Sequence, residues 1–167
     1  MPNYDKPSWV SQASIMKDGA IRVLKKELEN RYTQFAILST KLFWQQPDSL
    51  GYLSVPAKTI ASMERKLEKE IAKKQLLDDC VSRNNQGIAY EKAGNIDAAV
   101  ELYEENIKPG CYPAMHSFDR LLVIYRRNGE YKKELRVCKR AISVFKKSDK
   151  YSKRLPKIEE LLAKVKK

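Results

Sequence analysis

Two stretches of this chain superimpose at an offset of 35 residues. GIAYEKAGNIDAAVELYEENI at 87–107 and LVIYRRNGEYKKELRVCKRAI at 122–142 place Tyr90 on Tyr125, Gly94 on Gly129 and Ile107 on Ile142. Ile88 then falls on Val123, Ile96 on Tyr131, Val100 on Leu135 and Leu102 on Val137. Each copy holds two helical patterns around a glycine. One such unit cannot bury its apolar face alone, so copies must stack into a helical-hairpin array. The expected class is all-α: helical hairpins stacked as a short alpha-solenoid, closed by a C-terminal capping helix.

The remaining segments are read around that array. Residues 1–17, with Pro2, Pro7 and Trp9, form an irregular arm. Ile21, Leu24, Leu28, Tyr32, Phe35, Leu38 and Leu42 follow steps of three and four, which predicts a helix over 18–44 that stops before Pro47. Pro47 to Pro56 reads as a loop. Ile60, Met63, Leu67 and Ile71 predict a second helix over 57–77, with interleaved glutamates, lysines and arginine on a solvated face. Together 18–80 makes an N-terminal helical hairpin, and Trp44 and Met63 are assigned to its packing. The sequence leaves open whether the helix from Ala57 runs unbroken into the first repeat.

The repeats occupy 81–146, with helices at 81–93, 96–108, 115–128 and 131–146. Gly94 and Gly129 suit the left-handed position after a helix, and Asn95 suits an N-cap. Phe118, Leu121, Leu122 and Tyr125 mark the packing face of the third helix. Tyr131, Leu135, Cys138, Ile142 and Phe145 mark that of the fourth. Residues 147–167 form a basic capping helix, with Pro156 in its first turn and Ile158, Leu161, Leu162 and Val165 on one stripe.

Of the net charge of +12, +11 lies in 114–167, which holds 17 basic and 6 acidic residues. Such asymmetry fits an acidic partner. Cys80, Cys111 and Cys138 are odd in number and lack a short pairing spacing, so reduced thiols in a cytoplasmic setting are expected. Met1 to Val10 carries no apolar run of the signal-peptide kind, and the longest apolar run, Leu121 to Tyr125, is too short to span a bilayer. No membrane partner is expected.

At these residues the chain resembles the tetratricopeptide repeat (TPR) family, whose units are pairs of antiparallel helices. Gly87, Tyr90, Ala99 and Tyr103 match one unit, with its turn at Gly94. Phe118, Leu121, Tyr125 and Ala141 match a second, with its turn at Gly129. The chain departs from the pattern at Arg83 and Gln86, where an aromatic and a leucine are usual. Leu122 and Glu134 replace small residues, Asn106 replaces an alanine and Cys138 an aromatic. The chain is also similar to small bacterial or phage repeat proteins in which an ELYEENI-type helix precedes a His-x-x-Asp-Arg-Leu stretch. The resemblance implies a TPR-like solenoid that takes a peptide or partner protein in a concave groove. The groove positions it implies are Asn84, Ile88, Glu91, His116, Asp119, Arg120, Val123, Arg126 and Arg127. The lysine-and-asparagine clamp for C-terminal carboxylates is missing, since Asn84 and Ile88 stand in its first two places.

No catalytic constellation emerges. His116 adjoins Ser117 and precedes Asp119 by three residues, but nothing else completes a nucleophilic site, and a polar residue at a helix start explains it. The cysteines and histidine have no zinc spacing and there is no glycine-rich phosphate loop, so neither a metal nor a cofactor is expected. Asp78-Asp79 and Glu104-Glu105 are sequence neighbours that diverge by about 100° on a helix and cannot pair as acid and base.

The leading expectation is therefore a non-enzymatic protein-interaction module. Ile88 and Val123 would supply apolar burial, with Arg120, Arg126 and Arg127 set against an acidic ligand. One alternative is a nucleic-acid-binding protein using 114–167, with Lys132, Lys133, Arg136, Lys139 and Arg140 as candidate phosphate-binding residues. A structural subunit that self-assembles as a homo-oligomer is the other.

Overall fold

The computed structural model describes residues 9–10 and 19–165. Of the arm expected over 1–17, all but Trp9 and Val10 lies outside the described residues. The chain divides into two compact units, 1–74 and 75–167, rather than at 80/81. The fold is predominantly α-helical, with seven α-helices and one two-stranded sheet among the described residues.

The N-terminal unit corrects the expected hairpin. In place of one helix over 18–44 the chain forms β1 (Ala20–Leu24), α1 (Lys25–Tyr32), a 3-10 turn (Thr33–Phe35) and α2 (Thr40–Trp44). The expected loop 47–56 contains β2 (Tyr52–Pro56), which pairs antiparallel with β1. The register sets Ile21 opposite Val55 and Val23 opposite Leu53, and all four are buried. Arg22 and Ser54 pair on the opposite face. Side chains alternate across a strand, so Ile21 and Val23 serve a period of two here. The helical pattern also fails at Ala36, whose φ of 52° is left-handed. Ser39 then restarts the helix, its hydroxyl accepting from the Leu42 amide at 3.3 Å. The core joins Val10, Ile21, Val23, Leu28, Tyr32, Leu42, Leu53 and Val55 to Ile60, Met63 and Leu67. Met63 is buried as expected, whereas Trp44 is 70% exposed.

Glu64 ties this unit together. Arg31 grips its carboxylate through Nε at 2.6 Å and Nη2 at 2.7 Å, the Trp9 indole donates to it at 3.2 Å, and the Tyr32 hydroxyl donates to it as well. The Arg31 bonds hold the Glu64 carboxyl below its ordinary value of 4.5. The folded carboxyl thus binds a proton more weakly than the unfolded one. Its stabilisation is complete above about pH 4.5 and drains away as pH falls through the depressed folded value. The N-terminal unit should therefore lose stability below about pH 4.5. The change would be read from Trp9 fluorescence across an acid titration, and a Glu64→Gln variant should show a flatter profile. Equal profiles for the two proteins would refute this role.

The helix beginning at Ala57 does run into the first repeat: α3 spans Ala57–Lys92, 36 residues without a break. In the C-terminal unit its second half is followed by α4 (Ile96–Asn106), α5 (Met115–Arg127), α6 (Tyr131–Val144) and α7 (Asp149–Val165). From α4 onward, each helix packs on the next. Gly94 and Gly129 have φ of 80° and 72°, the left-handed turn conformation, and the Asn95 side chain caps α4 by accepting from Ala98 N at 3.3 Å. Gly87 faces the Tyr103 ring so closely that a Cβ would lie 2.6 Å from Cε1, so only glycine fits this α3–α4 approach.

The core gathers Ala99, Tyr103, Phe118, Leu121, Leu122, Tyr125, Val137, Cys138, Ala141, Tyr151 and Ile158. On α6 the buried face centres on Glu134, Val137, Cys138 and Ala141, while Leu135, Ile142 and Phe145 are only partly covered. Pro156 lies inside α7 rather than in its first turn, because the helix already starts at Asp149. The three cysteines are free thiols, and burial pushes those of Cys80 and Cys138 upward. No helix of the described residues is long and apolar enough to cross a membrane.

Candidate functional site

The expected groove positions lie on the second half of α3 and on α5, and the structure brings them together mainly with other helices of their own unit. Arg120 on α5 reaches α3 with a forked grip on Glu91, its Nε at 2.9 Å from Oε1 and its Nη2 on Oε2. The Tyr103 hydroxyl donates to the same carboxylate at 2.8 Å. Arg120 holds the Glu91 carboxyl below the usual range, while burial and that hydrogen bond push the Tyr103 hydroxyl upward. The His116 ring meets Tyr103 edge-on at 5.7 Å, with its buried Nε2 lacking a hydrogen-bond partner among the described residues.

Asn84 belongs to a buried polar knot. Its Oδ1 accepts from the Ser117 hydroxyl at 2.6 Å and from Asn106 Nδ2 at 3.0 Å. Asn106 Nδ2 also lies 3.1 Å from Cys80 O and from Ser117 Oγ, and Arg83 Nε donates to its Oδ1 at 2.7 Å. Ser117 is thus committed to Asn84 and Asn106. Asp119 binds Lys150 at 2.7 Å and the Tyr151 hydroxyl at 3.1 Å. His116, Ser117 and Asp119 therefore do not assemble into a relay.

Arg126 turns to Glu134, Nε to Oε2 at 2.7 Å. Arg154 of α7 binds the other oxygen through Nε at 3.0 Å and Nη2 at 2.9 Å, and also donates to the Leu122 carbonyl at 2.8 Å. The Glu134 side chain is fully buried between the two arginines. Arg83 and Asn106 bond each other, and Glu134 is neutralised by cations from two neighbouring helices.

The expected set of three guanidinium groups for an acidic ligand is corrected accordingly. Arg120 and Arg126 are engaged in internal ion pairs, while Arg127 is exposed and forms none among the described residues. Val123 is 46% exposed and Ile88 half-buried. Sequence reasoning missed Val81 and Met115, at 48% and 45% exposure. Val81 lies seven residues before Ile88, two turns along one stripe, and that spacing was the available signal.

The candidate phosphate-binding face is similarly divided. Lys133 pairs with Glu130 and lies 5.4 Å from the Tyr125 ring centroid. Arg136 pairs with Glu104, which also accepts from the Tyr125 hydroxyl at 2.6 Å. Arg140 donates to the Ile107 carbonyl. Lys132 and Lys139 are exposed and form no ion pair among the described residues. No cluster of three or more metal-ligating side chains occurs among the described residues.

No family model, curated protein or solved structure matches this chain.

Proposed function

We propose that the C-terminal unit is a non-enzymatic, TPR-like interaction module that takes a peptide or a segment of a partner protein on the α3–α5 face. The observation that supports this reading is the imbalance on that face. Glu91, Asp119, Arg120 and Arg126 are taken up by internal pairs, yet Val81 on α3 and Met115 and Val123 on α5 stay exposed. An exposed apolar group framed by neutralised polar side chains suits a partner's apolar side chains, since little desolvation of unpaired charge opposes docking. Arg127 selects a ligand with an acidic group near its apolar residues.

Peptides enriched from a random displayed library on the wild-type protein test this. Val123→Asp should weaken their binding by at least about tenfold, with far-UV circular dichroism unchanged. Arg127→Glu should weaken the acidic members selectively. Failure to enrich any peptide, or equal binding by Val123→Asp, overturns the assignment.

A further inference from the structure

In the N-terminal unit, Phe43 and Trp44 of α2 and Leu50 of the following turn are 40%, 70% and 68% exposed. The Phe43 and Trp44 rings meet edge-on at 5.1 Å. Lys25 links them to the turn: its Nζ lies 6.0 Å from the Phe43 centroid and its amide donates to the Gly51 carbonyl at 3.0 Å.

The display is held rigidly. Asp48 Oδ1 accepts from the amides of Leu50 at 3.0 Å and Tyr52 at 2.9 Å, while its Oδ2 binds Arg22 at 2.7 Å. Gly51 has a φ of 83°, which completes the turn and leaves Leu50 at its tip. On the other side, buried Leu42 anchors α2 and the Ser39 cap starts it. Three large apolar side chains are thus fixed outward by buried neighbours and backbone hydrogen bonds.

We infer that this patch docks the protein reversibly on an anionic phospholipid surface. Its uncovered area is on the order of a few hundred Å², below the roughly 800 Å² per partner of a stable protein pair. A few apolar side chains suffice for interfacial insertion when cations accompany them, and tryptophan favours the headgroup level. Lys41 lies on α2 itself and Lys26 follows Lys25; both are exposed and form no ion pair among the described residues. Of the acids in this region, Glu29 pairs with Lys25 and Asp48 with Arg22, while exposed Glu27 adjoins Lys26 and offsets it, which leaves Lys41. The charge left over is positive, complementary to acidic headgroups. The expectation of no membrane partner rested on the lack of a spanning segment, which does not bear on surface docking.

Sedimentation with phosphatidylserine-containing and pure phosphatidylcholine vesicles tests the inference on the full chain. The wild type should partition to the anionic vesicles. Trp44→Ala/Leu50→Ser and Lys26→Glu/Lys41→Glu should each lower that partitioning at least about tenfold, with unchanged thermal midpoints. Absence of binding to either vesicle overturns the inference. Undiminished binding by Trp44→Ala/Leu50→Ser also overturns it, by assigning the attraction to basic residues elsewhere.

Discussion

Glu134→Ala is expected to destabilise the C-terminal unit by about 3–5 kcal/mol, the range for removing one partner of a buried ion pair. The carboxylate is fully buried, whereas the Arg126 and Arg154 side chains keep 25% and 31% of their exposure. Removing it leaves two guanidinium groups facing each other with their counter-charge gone. It also cuts the only ionic link that joins α5, α6 and α7 at one point among the described residues. Urea denaturation followed by circular dichroism measures the loss. Adding Arg126→Met and Arg154→Met to a Glu134→Leu background should recover much of it, because a packed apolar set often matches a buried ion network. A loss below about 1 kcal/mol for Glu134→Ala, the level of a surface pair, would show that the triad is incidental.

Asn106→Ala is expected to cost about 2–4 kcal/mol, from several partners left unsatisfied in a buried place at about 1–3 kcal/mol each, with partial relief by water and relaxation. The side chain is 3% exposed and bridges Arg83, Cys80 O, Asn84 and Ser117, so its loss loosens α3, α4 and α5 together. Ser117→Ala should cost less, since the Asn84–Asn106 bond survives it. Both are read by denaturant midpoints. If Ser117→Ala were the costlier variant, the knot would be centred on the hydroxyl instead.

These two residues show where the sequence could be read and where it could not. Glu134 and Asn106 stand out only against the TPR pattern that the chain resembles, and a buried acid demands cations. Yet the cations come from positions 8 residues before and 20 after, on different helices, with no local pattern to point to them. The same holds for Arg120, whose partner Glu91 lies 29 residues away. The sequence could place these residues on helices, but was silent on which charges remain unpaired.

The N-terminal unit misled for a related reason. Ile21, Leu24 and Leu28 satisfy helical spacing, but Ile21 and Val23 satisfy strand spacing equally, and short apolar runs fit either period. The decision came from Leu53 and Val55, some thirty residues on, which complete the sheet. Trp44, assigned to packing on hydrophobicity alone, is left outside because Leu42 takes the inward position of a five-residue helix.

What the sequence by itself determined was the helical class, the 35-residue offset, the turns at Gly94 and Gly129 and the Asn95 cap. These rest on backbone preferences and periodicities confined to a few neighbouring residues. Only the tertiary structure decided the β1–β2 pairing, the unbroken course of α3, and which arginines, valines and aromatics still face solvent. Those outcomes depend on partners distant in sequence, whose packing overrides local propensity.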